Sequence, residues 1–143
     1  MEEHADAGFQ ILEHTADVGV RSWGPSVEEA FAQATLGFLD IVGAWQPDPT
    51  GETRREEITL EGRDLGALLV DWLGEVLYLQ DAHDVVISGF EVTQVDDRRA
   101  AGWVEVAPRP QEIEGTAVKA VTYHQLSVER VDSRWVATVY LDI

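Results

Sequence analysis

The chain has no cysteine among its 143 residues, which excludes disulfide bonds, thiolate metal ligands and cysteine nucleophiles together. Positive charge is scarce. Lysine and arginine number 10 against 27 aspartate and glutamate, for a net charge of −17. A surface of that sign repels phosphate backbones, because nucleic-acid binding needs cationic groups that displace condensed counterions. Any role in RNA or DNA biology is therefore expected to run through another protein, without direct nucleic-acid contact. The plainer reading of the acidity is solubility alone. No apolar run approaches the ~20 residues that span a membrane, and the acidic start MEEHADAGFQ lacks the apolar centre of a signal peptide. The expectation is a soluble cytoplasmic protein. His-x-x-x-His pairs, glycine-rich phosphate loops and Gly-x-Ser-x-Gly elbows are absent too, and with them the usual catalytic signatures.

What is present is a foldable pattern. A hydrophobic fraction of 45% supports a packed core, and the length suits a single domain over residues 1–143, with 1–8 as an acidic leader. Phe9 and Ile11 start one strand. Val18, Val20 and Ser22 alternate with Gly19, Arg21 and Trp23 in a second. Ser26 followed by Glu29 is a capping-box signature, and Val27, Ala30, Phe31, Ala34 and Phe38 carry a helix to Val42, with Gly43 as its stop. AWQPDPTGETRREE reads as a loop, and a short strand covers Ile58 to Leu60. Asp64 opens a second helix whose stripe of Leu65, Leu68, Leu69, Trp72, Leu73, Val76 and Leu77 is core rather than groove. From Val85 onward the pattern is β: VVISGFEVTQV, a DDRR turn, AAGWVEV, then TAVKAVTYHQLSVERV and RWVATVYLDI around a DS turn. Two helices among segregated strands predict an α+β two-layer sandwich, the helices packed on a largely antiparallel or mixed sheet.

Two places break the pattern. In ILEHTADVGV, the polar His14, Thr15 and Asp17 interrupt the strands, most simply as a turn whose side chains cap nearby amides. At the other end, WVATVYLDI carries an apolar strand to the final residue, setting Trp135, Ala137, Val139, Leu141 and Ile143 on one face and Asp142 on the other. The terminal carboxylate of Ile143 would then be held beside Asp142. Two fixed carboxylates repel unless a cation bridges them. Were Asp17 on the neighbouring strand, three hard oxygen donors would meet, a donor set suited to Ca²⁺ or Mg²⁺, with Mn²⁺ as a further alternative. Lys119, the sole lysine, reads as lying inside an apolar strand, where an unpaired ammonium is costly, and so becomes a candidate partner for that cluster.

HTADVGV, DLGALLVDWLGEVLYLQD, VKAVTYHQL and the terminal YLDI, in that order and across nearly the whole chain, resemble the archease family. That resemblance implies a non-catalytic cofactor of the RtcB-type RNA ligase, which joins 2′,3′-cyclic phosphate or 3′-phosphate RNA ends to a 5′-hydroxyl in tRNA splicing and RNA repair. The ligase uses GTP and Mn²⁺ and passes through its own guanylylated histidine; archease assists that guanylylation and multiple turnover. The resemblance further implies that Asp17, Asp142 and Ile143 hold a divalent metal, that Lys119 is functionally important, and that His14 belongs to the same motif in a supporting role. VEVAPRPQEIEG departs from the family, with Pro108 and Pro110 where a more polar run with a histidine is expected. Two other classes compete: a stand-alone metal-dependent hydrolase with Asp17 as base and His14 or His124 as acid, and a chaperone-like adaptor whose carboxylates only anchor the last strand.

Overall fold

A computed structural model describes residues 6–13 and 17–143. In chain order the elements are β1 (Gly8–Glu13), β2 (Asp17–Gly24), α1 (Val27–Val42), β3 (Arg54–Glu61), α2 (Leu65–His83), β4 (Val85–Val95), β5 (Arg99–Pro108), β6 (Ala120–Val131) and β7 (Arg134–Asp142). The fold is α+β, as its patterning implies. The strands form two antiparallel sheets rather than one, ordered β1-β2-β7-β6 and β3-β5-β4. Both helices pack on strands of both sheets, so one hydrophobic cluster, with Phe31, Phe38, Trp72, Ile87, Val139 and Leu141 among its members, serves the whole assembly. Each such side chain stabilises the fold by about 1.5–3 kcal/mol when fully buried.

Local chemistry sets the helix ends. The Ser26 hydroxyl accepts the Glu29 N–H at 3.1 Å at the start of α1, and the Asp64 carboxylate accepts the Ala67 N–H at 2.8 Å at the start of α2. These satisfy donors that a helix leaves open in its first turn. Gly43 ends α1 at φ 73° and donates its N–H to Leu39; a Cβ there would also collide with the Glu114 carbonyl. The helices are tied together by a buried polar pair in which Trp72 Nε1 donates to Thr35 Oγ1 at 2.9 Å, while Thr35 donates to the Phe31 carbonyl at 2.7 Å.

Three features depart from the sequence reading. β3 begins at Arg54, inside the stretch read as loop, because Arg54 to Glu57 pair with Val106 to Trp103 of β5. That segment is polar, and only its partner makes it a strand. β6 starts at Ala120 rather than Thr116, and its ladder to β7 is broken between Thr122 and Ser127. Tyr123 to Leu126 therefore bulge from an edge strand, with Gln125 at φ 51°. A bulge of this kind twists the edge away from further pairing. The third concerns Lys119, which precedes β6 and is exposed. Water solvates its ammonium, so burial supplies no reason for a partner there.

Candidate functional site

The pairing of β2 with β7 sets the geometry. Their register places Asp17, the first residue of β2, directly opposite Asp142, the last of β7. Directly opposed residues share a face of the sheet, with Cβ atoms about 4.5–5.5 Å apart. On the other side of β7, Ala120 opposes Asp142, and the Lys119 N–H donates to the Asp142 carbonyl at 2.7 Å. Ile143 follows directly. Asp17, Asp142, Ile143 and Lys119 thus meet at one end of three adjacent strands, although they come from opposite ends of the chain. His14 lies outside the described residues.

Burial divides the two aspartates. Asp142 is exposed, whereas Asp17 is half-buried and its Oδ1 is closed off from solvent. Beside them opens a cleft of about 460 Å³ whose lining includes Glu13, Asp17, Asp40 and Ile143. Glu13 and Asp40 were not singled out by sequence reasoning. Glu13 adjoins the HTAD motif and could have been suspected, but Asp40 sits in the last turn of α1 and only the packing of that helix on the sheet brings it here. Among the described residues, no group of three or more histidine, aspartate or glutamate side chains is gathered as a ready-made metal site. What the strand ends do bring together is the two aspartate side chains, Asp17 and Asp142, with the Ile143 main chain next to them. All are hard oxygen donors, the kind that suits Ca²⁺ or Mg²⁺ and that leaves coordination positions for water or a partner.

His124, the candidate acid of a hydrolase, lies in the β6 bulge with its ring edge-on to Tyr140 at 5.9 Å. Its backbone N–H is held by the Thr122 hydroxyl. Among the described residues no helix is long and apolar enough to cross a membrane.

Fold and site define a class: a small α+β domain that opposes carboxylates at the ends of adjacent strands. The archease protein family (MTH1598/TM1083) matches this sequence over residues 9–143. The chain is 37% identical to the archease of Methanosarcina mazei over 142 residues, covering 94% of this chain and 95% of that protein. It is 39% identical to an archease of Saccharolobus islandicus over 138 residues, covering 94% and 98%. The solution structure of Methanobacterium thermoautotrophicum protein 1598 is similar with a TM-score of 0.69 and 30% identity, over 95% of this chain and 99% of that one. The crystal structure of a Thermotoga maritima archease, described as a possible chaperone, shares the fold with a TM-score of 0.63 at 22% identity, over 94% and 96%. The chain belongs to the archease family.

Proposed function

We propose that this chain is a non-catalytic activator of an RtcB-type RNA ligase, acting in the cytoplasm in tRNA splicing and RNA repair by promoting ligase guanylylation and multiple turnover. The observation that carries the reading is the register that opposes Asp17 and Asp142, with Ile143 and Lys119 beside them, in a chain of this family. Asp17, Asp142 and the Ile143 carboxylate would hold a divalent ion, Ca²⁺ first and Mg²⁺ or Mn²⁺ as alternatives. When bound, the ion supplies concentrated positive charge that offsets the repulsion between the carboxylates.

The protein's own residues do the rest. The Lys119 N–H fixes the end of β7 through the Asp142 carbonyl, and the Lys119 ammonium stays in solvent, available to a partner's phosphate or carboxylate. The excess of 27 acidic over 10 basic residues draws the chain toward the basic face with which a ligase holds RNA. Docked there, the strand-end cluster would favour the ligase conformation in which GTP and its histidine are aligned, and nucleotidyl transfer depends chiefly on alignment and charge neutralisation.

The test is multiple-turnover ligation of a 2′,3′-cyclic phosphate RNA by the cognate ligase, with this protein and with its Asp17→Ala and Asp142→Ala variants. Stimulation by the wild type that both variants lose is expected. No stimulation by the wild type, or equal stimulation by the variants, would refute the proposal. Hydrolysis of a phosphate ester by the purified protein without any ligase would instead favour the hydrolase.

A further inference from the structure

Asp40 stands where a helix tolerates a carboxylate least. It lies in the last turn of α1, beside the negative end of the helix dipole, and that turn holds no basic residue. Its carboxylate is exposed and has neither a hydrogen bond nor an ion pair among the described residues. Gly37 explains how Asp40 reaches the strand ends. A Cβ at Gly37 would lie 2.7 Å from Val20 and 3.1 Å from Phe9, so the missing side chain lets α1 settle closely on β1 and β2, and Asp40 follows three residues on along the same helix face. Alternation along β1 turns Phe9, Ile11 and Glu13 toward that helix, so the core-facing side of the strand ends in a carboxylate. Asp40 and Glu13 therefore line the strand-end cleft of about 460 Å³ together with Asp17 and Ile143, and no cationic side chain among the described residues lines it.

We infer that Asp40, together with Glu13, sets the affinity of the strand-end ion site by holding the waters around the ion rather than the ion itself. The inference rests on the reading that Asp17, Asp142 and Ile143 hold a divalent ion, and two of those three residues line the same cleft as Asp40 and Glu13. Direct ligation by every carboxylate is not open, because no three acidic or histidine side chains among the described residues are gathered closely enough for one ion. Three protein ligands leave a hard cation such as Ca²⁺, which takes roughly six to eight oxygens, with several waters. Those waters turn their hydrogens outward and need acceptors, and an ionised carboxylate only accepts. The cleft has room for them, since each water takes ~30 Å³ in the liquid. Apart from Thr116, the remaining side chains of its wall are apolar, which leaves Asp40 and Glu13 as the charged acceptors. Residues that hold a metal's ligands in this way tune its affinity without touching it. A carboxylate set against the helix dipole is then offset by a cation from outside the chain.

The test is calorimetric titration of calcium into the chelator-treated full-length protein and three variants. Asp40→Asn should weaken calcium binding about tenfold or more, with thermal unfolding in chelator unchanged or raised, so that the loss is not one of folding. Asp40→Glu keeps the charge and the acceptor and should retain most of the affinity. Asp81→Asn removes the same charge from an exposed position in the last turn of α2, away from this cleft, and should bind as the wild type does. Unchanged calcium affinity in Asp40→Asn overturns the inference while leaving the ion site itself in place. Equal weakening by Asp81→Asn also overturns it, since net charge alone would then set the affinity. A wild type that binds no calcium refutes the ion site and this inference with it.

Discussion

Replacing Asp142 by asparagine should strengthen the fold without divalent ions and weaken it, relative to wild type, with them. Asp17 and Asp142 are opposed in the β2–β7 ladder, which puts their carboxylates about 6 Å apart given the usual cross-strand Cβ spacing. At that distance two negative charges repel by about 0.7 kcal/mol in bulk water, and physiological salt, with a Debye length of about 8 Å, roughly halves this. In the unfolded chain the two residues are far apart and the repulsion vanishes. Asp142→Asn should therefore be more stable in chelator by about 0.3–0.7 kcal/mol, a rise in Tm of about 1–2 °C for a chain of this size. The substitution leaves the Asp142 carbonyl free to accept the Lys119 N–H, so the strand pairing is preserved. Calcium at about 100 times its dissociation constant should then stabilise the wild type by about 2.7 kcal/mol, or about 5–10 °C, and the variant far less. Scanning calorimetry of both proteins in chelator and across a calcium titration reads the crossing directly. A variant less stable than wild type in chelator, or equal calcium shifts in both proteins, would refute the reasoning.

Two further substitutions probe the scaffold. Thr35→Val removes the acceptor of the buried Trp72 N–H while keeping the shape; stability should fall by about 1–3 kcal/mol, seen as a lower urea midpoint with an unchanged m-value. Gly102→Ala, in the central strand of the three-stranded sheet, would set a Cβ against the Glu91 carbonyl and 2.9 Å from the Trp72 ring, and a loss of about 1–3 kcal/mol or more is expected by the same assay.

The helices were legible because their signals are local. Ser26 and Asp64 cap first turns three residues away, Gly43 stops a helix through its own backbone freedom, and the Leu–Trp–Val stripe of α2 buries as its spacing requires. The strands after Val85 were largely legible for the same reason, although β7 buries Val136 and Tyr140 as well as Ala137, Val139 and Leu141 and β6 begins only at Ala120. Arg54 to Glu57 were not, because polar residues become a strand only when a neighbour offers its hydrogen bonds. The bulge at Tyr123 to Leu126 was hidden in a run with ordinary strand propensity. Asp40 was hidden because what matters in it is the company it keeps across the fold.

The sequence by itself determined the fold class, the starts of both helices and the end of α1, the acidic net charge, and the identity of the residues that gather at the strand ends. Whether those residues meet was decided by tertiary structure alone. Alternation along β2 and β7 says which way each side chain points but nothing about which residue faces which, since a one-residue slip preserves each strand's composition and reverses its faces. The burial of Val18, Val20, Val139 and Leu141 against the shared core selects one register, and in that register Asp17 faces Asp142.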